Sequence, residues 1–124
     1  MPILRGGDAP SYRFGDIDAT GLSSPSRGAT EITTAILTFP PGSSVPPHTH
    51  DHEEILHVLS GRLRFMLEDE ETVLEPGDSA IVPAGSTHSP GASDQGEVRI
   101  LSATPVGTLR IQADGERALP PWGD

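Results

Sequence analysis

The chain has 124 residues, enough for one domain with one modest core and too few for two catalytic domains meeting at a cleft. Its 14 Gly and 13 Pro are nearly twice the usual share of turn formers and argue against a helical bundle. Eight Lys and Arg against 18 Asp and Glu leave a net charge of -10, so neither a nucleic acid nor an anionic membrane is an expected partner. Without cysteine there is no disulfide, thiolate nucleophile or Cys-bound metal. Met1 to Pro10 lacks a basic region followed by an apolar one, and no run approaches 18 apolar residues, so neither a leader nor a membrane span is expected. A cytoplasmic location is the default expectation.

Residues 1–28 are rich in Gly, Ser, Pro, Ala and Asp. They are expected to form a flexible or edge-pairing arm with one short strand around Tyr12 to Ile17. From Glu31 the texture changes. Glu31 to Phe39 (EITTAILTF) is rich in β-branched residues and closed by Pro40-Pro41-Gly42, which predicts a strand and a turn. Further strands are expected at Glu54–Leu59, Arg62–Leu67, Thr72–Glu75, Ser79–Val82, Val98–Ala103 and Thr108–Gln112, separated by Ser60-Gly61, Asp69–Glu71, Pro76-Gly77 and the Pro- and Gly-rich stretch from Pro83 to Gly91. Leu56, Val58, Phe65, Ile81 and Ile100 are core candidates. No window keeps a helical period, and short strands at this spacing predict an all-β barrel or sandwich. Residues 29–112 form the expected barrel domain, and 113–124 a polar tail that Trp122 could dock.

The most informative stretch is His48-Thr49-His50-Asp51-His52-Glu53-Glu54, which holds three of the five histidines. On a strand, His48 and His50 share a face with Cα atoms about 6.6 Å apart, close enough to bind one ion. Glu54 has the same parity but lies about 13 Å farther along a straight strand, so it reaches that ion only if the chain bends at Asp51–Glu53. His88, between Pro83 and Pro90, is the distant candidate. Three imidazoles and one carboxylate suit Fe(II), Mn(II), Co(II), Ni(II), Cu(II) or Zn(II). With a divalent ion such a set is net +1, which favours an anionic substrate or a developing enolate.

Gly42, His48, His50, Glu54 and Gly61, followed by Gly77, Pro83, Gly85 and His88, fall at the intervals of the two cupin motifs. The chain therefore resembles the small, single-domain cupins of the cupin 2 barrel type. Ala92 stands where the second motif usually has Asn, a residue that is not a metal ligand in that family. The resemblance implies a small antiparallel jelly-roll β-barrel, one divalent transition metal per chain (iron foremost, with Mn, Ni, Zn, Co or Cu as alternatives), and a homodimer. It also implies His48, His50, Glu54 and His88 as ligands.

Around this set, Glu54 is favoured over Glu53. His52 is expected on the bend, exposed or behind the ligands, and His57 points away. Arg62, Arg64, Arg99 and Arg110 lie on expected strands whose facing the sequence does not fix; if one faces inward, Arg64 is the first candidate to clamp a substrate carboxylate, although a solvated side chain is the simpler expectation. Ser102 and Thr104 lack the partners of a serine triad. The residues and the resemblance together imply a metal-dependent enzyme acting on a small oxygen-rich or anionic organic molecule, foremost an Fe(II)-type dioxygenase. The alternatives are an isomerase, cyclase or decarboxylase using the ion as a Lewis acid, and a non-catalytic metabolite- or metal-binding module.

Overall fold

The computed structural model describes residues 2–124. It is built from twelve strands and two single 3-10 turns, Gly6–Asp8 and Pro25–Arg27. One six-stranded antiparallel sheet runs β1 (Ser11–Phe14), β2 (Ile17–Ser23), β3 (Ile32–Phe39), β10 (Val98–Pro105), β5 (Glu54–Ser60), β8 (Ser79–Val82). The other runs β12 (Arg117–Ala118), β11 (Arg110–Gln112), β4 (His48–His50), β9 (His88–Ala92), β6 (Leu63–Leu67), β7 (Glu70–Leu74). Neighbours distant in sequence, such as β3 with β10 and β4 with β9, give the crossing connections of a jelly roll, and the two sheets close on each other as a barrel. The expected fold class is the observed one.

Period-2 patterning places the core. In β3, Thr33, Ala35, Leu37 and Phe39 are buried while the alternate residues are not. In β5, Glu54, Leu56 and Val58 face inward; in β10, Val98, Ile100 and Ser102 do. Leu63 and Phe65 close the core from the second sheet. The turn from β5 to β6 depends on Gly61, which has φ 78° and packs so closely that a Cβ would strike the carbonyl oxygen of Glu97.

Several expectations need correction. Residues 11–23, anticipated as part of an arm with one short strand, form the β1–β2 hairpin, whose second strand pairs with β3 and carries core residues Ile17 and Ala19. Met1 of that arm lies outside the described residues. His88–Ala92, which looked like loop, is a strand paired with β6 along its length. The β6–β7 turn is tighter than expected, with Leu67 opposite Glu70 and Glu68 at φ 54°. Ile81 is not core; it is 63% exposed on the outer face of β8. In the tail, Trp122 is partly buried against the core and meets Phe14 edge to face at 6.1 Å between ring centroids.

Candidate metal centre

The two sheets bring four side chains together from three segments. His48 and His50 alternate inward on β4, and His48 lies directly opposite His88 on β9. Cross-strand partners on one face stand close, so this single pairing joins residues forty positions apart. After His50 the chain bends through Asp51–Glu53 and enters the opposite sheet at Glu54. This is the bend that Glu54 required: the carboxylate faces the histidines from across the barrel. The corner is pinned where Asp51 Oδ1 accepts the Leu109 N–H at 2.8 Å and the His50 carbonyl accepts the Gly85 N–H at 2.9 Å.

Candidate donor atoms of His48, His50 and His88 lie within 4.8 Å of one another, and all three rings are buried. Ring centroids are 5.0 Å apart for His48–His50, 4.3 Å for His48–His88 and 5.1 Å for His50–His88. Nδ1 of His48 donates to the Pro46 carbonyl at 2.8 Å, and Nδ1 of His88 to the Ser86 carbonyl at 3.0 Å. Those bonds set the tautomers and turn both Nε2 lone pairs toward the centre. His50 Nδ1 is buried without a partner. Glu54 joins the cluster through Oε1, 3.2 Å from His88 Nε2, and its Oε2 accepts the Ser102 hydroxyl at 2.8 Å.

The electrostatics suit a cation. Burial and the neighbouring His88 hold His48 down to about 3. Burial likewise lowers His50, outweighing the raising influence of Glu54. Both are therefore neutral donors at pH 7. Burial pushes the Glu54 carboxyl up, but the His88 and Ser102 hydrogen bonds and the electrostatic influence of the adjacent imidazoles hold it below the usual carboxylate range. With His88 Nδ1–H committed to Ser86, a neutral His88 turns an Nε2 lone pair toward a carboxylate oxygen. That repulsion is relieved only by a positive species between them, a proton or a metal ion. The residues fit a divalent ion: three imidazoles and one anion, buried, with two ring orientations fixed by backbone carbonyls.

The other sequence candidates lie elsewhere. His52 is on the exposed bend, bonded to Asp51 Oδ1 at 3.0 Å. Glu53 lines a shallow outer groove with Ile32 and Ile55. Arg64 is on the outside of β6, paired to Glu71 at 2.7 Å and 56% exposed, so it does not face the centre. His57 also points outward, toward Ser79 Oγ at 2.7 Å. The arginine that faces the centre is Arg110, opposite His50 in the β4–β11 ladder. It lines a cleft with Phe14, Leu37, Val45 and Trp122 whose floor is His48, His50 and Glu54. The sequence left the facing of Arg62, Arg64, Arg99 and Arg110 open and put Arg64 ahead of Arg110, and it gave Ser102 no part once a serine triad was set aside. Inward parity on their strands is the only signal that marks either.

A two-sheet jelly roll with a buried three-histidine cluster at one mouth defines a small metal-binding barrel. Residues 35–104 match the cupin domain family, and the chain belongs to it. It is 37% identical over 92 residues to quercetin 2,3-dioxygenase of Bacillus subtilis, covering 72% of this chain and 27% of that protein. It is 36% identical over 98 residues to oxidoreductase OpS7 of Beauveria bassiana, covering 71% and 32%. The chain thus spans about a third or less of the length of these curated relatives. Among solved structures it resembles in fold the polyketide cyclase RemF from Streptomyces resistomycificus, with 22% identity, TM-score 0.77, and 85% and 79% of the two chains covered.

Proposed function

We propose that this protein is a metal-dependent enzyme of the dioxygenase type. Its ion is Fe(II), held by His48, His50, His88 and Glu54, and its substrate is a small oxygen-rich or anionic organic molecule. The observation that carries the reading is the buried cluster of His48, His50 and His88, whose candidate donor atoms lie within 4.8 Å of one another, with Glu54 Oε1 3.2 Å from His88 Nε2. When bound, the ion supplies Lewis acidity and, if it is iron, one-electron chemistry with dioxygen. The protein's own residues do the rest. Pro46 and Ser86 carbonyls orient two imidazoles, Ser102 holds the carboxylate, and the apolar walls from Phe14 to Trp122 keep bulk water away. The cleft offers no proton carrier besides the candidate ligands, which favours oxygen chemistry over acid–base isomerisation. The likeness to quercetin 2,3-dioxygenase and to an oxidoreductase supports the same class.

A homodimer belongs to this reading. On the outer face of the first sheet Ile32, Ile55 and Ile81 are 58%, 40% and 63% exposed, and Ile55 lies opposite Ile81. Contiguous apolar surface of this kind marks an interface. Glu53 borders one end of the face and Arg99 the other. No helix of the described residues is long and apolar enough to cross a membrane.

The test of the activity is oxygen uptake by the anaerobically purified, iron-loaded protein with quercetin, catechols, β-diketones and small hydroxy acids. Uptake that depends on substrate and iron is the expected result. Substrate turnover without oxygen, by isomerisation, cyclisation or decarboxylation, would replace the dioxygenase with a Lewis-acid enzyme. No turnover of any kind would reduce the protein to a binding module.

A further inference from the structure

Arg110 is an inward arginine without a counter-ion in a chain that carries 18 carboxylates. Three independent features single it out. It stands directly opposite His50, so it projects from the same face of the sheet as the candidate ligands. Among the described residues no carboxylate pairs with it, whereas Arg13, Arg62 and Arg64 on the outer surface each have one. Its Nε is buried with no hydrogen-bond partner, a costly state for a group with five donors and a permanent charge. The Phe14 ring, 4.8 Å from the guanidinium carbon, holds the head group in place by a cation–π contact without using its donors.

The surroundings say what those donors await. The cleft is about 440 Å3 including its open mouth, and its walls are almost wholly apolar: Phe14, Ile17, Leu37, Val45, Leu56 and Trp122. Only about 40 Å3 admits a water-sized body, room for a few waters, so the inner part takes a small polar group rather than a whole molecule. Phe14 and Trp122, packed edge to face, form one aromatic wall of the cleft against which a flat body can lie.

We infer that Arg110 is the anion-recognising residue of this cleft, and that the ligand is a planar conjugated molecule with one acidic oxygen group, a carboxylate or an ionised enol. The acidic oxygens take the guanidinium donors beside the metal centre while the planar body lies against Trp122 and Phe14. This rests on the proposed function for the location of the site but not for its reaction, and it names a substrate class that the reaction class leaves open. Arg64, the arginine the sequence put forward, has no part in it.

Trp122 is the only tryptophan, so its fluorescence reports directly on the cleft. The probes are trans-cinnamate and its neutral isostere trans-cinnamamide, titrated into the zinc-loaded and the chelator-treated protein at pH 7.5, with calorimetry as the second readout. In the wild type, cinnamate quenches Trp122 and binds about tenfold or more tighter than cinnamamide, with or without zinc, as expected for a hydrogen-bonded charge pair. Arg110→Gln removes that preference, Arg110→Lys keeps part of it, and Arg64→Gln keeps all of it. Circular dichroism and the melting temperature establish that each variant is folded. An undiminished preference in folded Arg110→Gln, a preference present only with zinc, or no binding of either probe at millimolar concentration would overturn the assignment. Because oxygen uptake is not measured, an Arg110-dependent preference in a protein that consumes no oxygen retains this inference and rejects the dioxygenase. Oxygen uptake with no such preference does the reverse.

Discussion

Ser102 donates its hydroxyl to Oε2 of Glu54 at 2.8 Å, and Oε1 of the same carboxylate faces His88 at 3.2 Å. The serine thus fixes the carboxylate rotamer from behind, leaving one oxygen for the centre. Ser102→Ala leaves a buried oxygen unpaired and frees the carboxylate to rotate. The expected outcome is a loss of roughly tenfold to a hundredfold in metal affinity with the fold intact. A competition titration against a chelator of known affinity measures it, and unchanged affinity would remove Ser102 from the site.

Proton linkage gives a second expectation. His48 is held at about 3 in the folded chain by burial and by His88, against 6.5 when free, and burial lowers His50 as well. Below pH 6.5 the unfolded chain therefore takes up protons that the folded metal-free chain refuses. The stability that depends on neutral histidines is fully present above pH 6.5 and declines as pH falls toward 3. The slope approaches about 1.4 kcal/mol per pH unit for each such histidine. Glu54, also held below its usual value, adds a loss of the same sign below its unfolded value of 4.5. Urea denaturation of chelator-treated protein between pH 8 and 5 is the check, and stability that stays level or rises toward pH 5 contradicts the buried neutral histidines.

Gly61 combines a left-handed backbone with a close approach to the Glu97 carbonyl. Gly61→Ala meets both problems and is expected to cost roughly 2 kcal/mol or more. Denaturation midpoints measure the cost, and a loss below about 0.5 kcal/mol would mean that the β5–β6 turn relaxes freely.

The exposed isoleucines make a third site of change. Ile81→Glu places a charge on the outer face beside Ile55, far from the cleft. The wild type is expected to elute and scatter light as a dimer, and the variant as a folded monomer that still binds metal. A dimeric variant would move the interface to another face.

Much of the fold was legible because β-branched runs and Gly/Pro punctuation are local signals. Glu31–Phe39 and Ser79–Val82 announce themselves that way. The N-terminal hairpin did not, because Gly21 and Ser23 in β2 carry little strand propensity and its stability comes from pairing with β3. His88–Ala92 reads as loop because its Ser-Pro-Gly composition suits turns, yet β6 supplies a register that composition does not encode. Ile81 looked like core since hydrophobicity was visible and facing was not. The histidine pair was readable from its two-residue spacing on a strand, and His88 only through the likeness to the second cupin motif. Glu54 depended on a bend that the sequence permits and the sheet change supplies. Arg110 was visible as one of four strand arginines, but which of them faces inward was not. Its facing is set by the pairing of Arg110 with His50, two residues far apart in sequence, and no pattern within either strand records that register.

Elemental mass spectrometry tests most directly whether the four side chains from the two sheets hold one ion. Untagged protein purified anaerobically is compared with His88→Ala, whose fold is verified by circular dichroism. About one iron per chain in the wild type, absent from the variant, is the predicted result. Another divalent transition metal at that stoichiometry would keep the centre and change the chemistry sought. No bound metal, and none taken up on reconstitution, would contradict the metal centre and the enzyme reading with it.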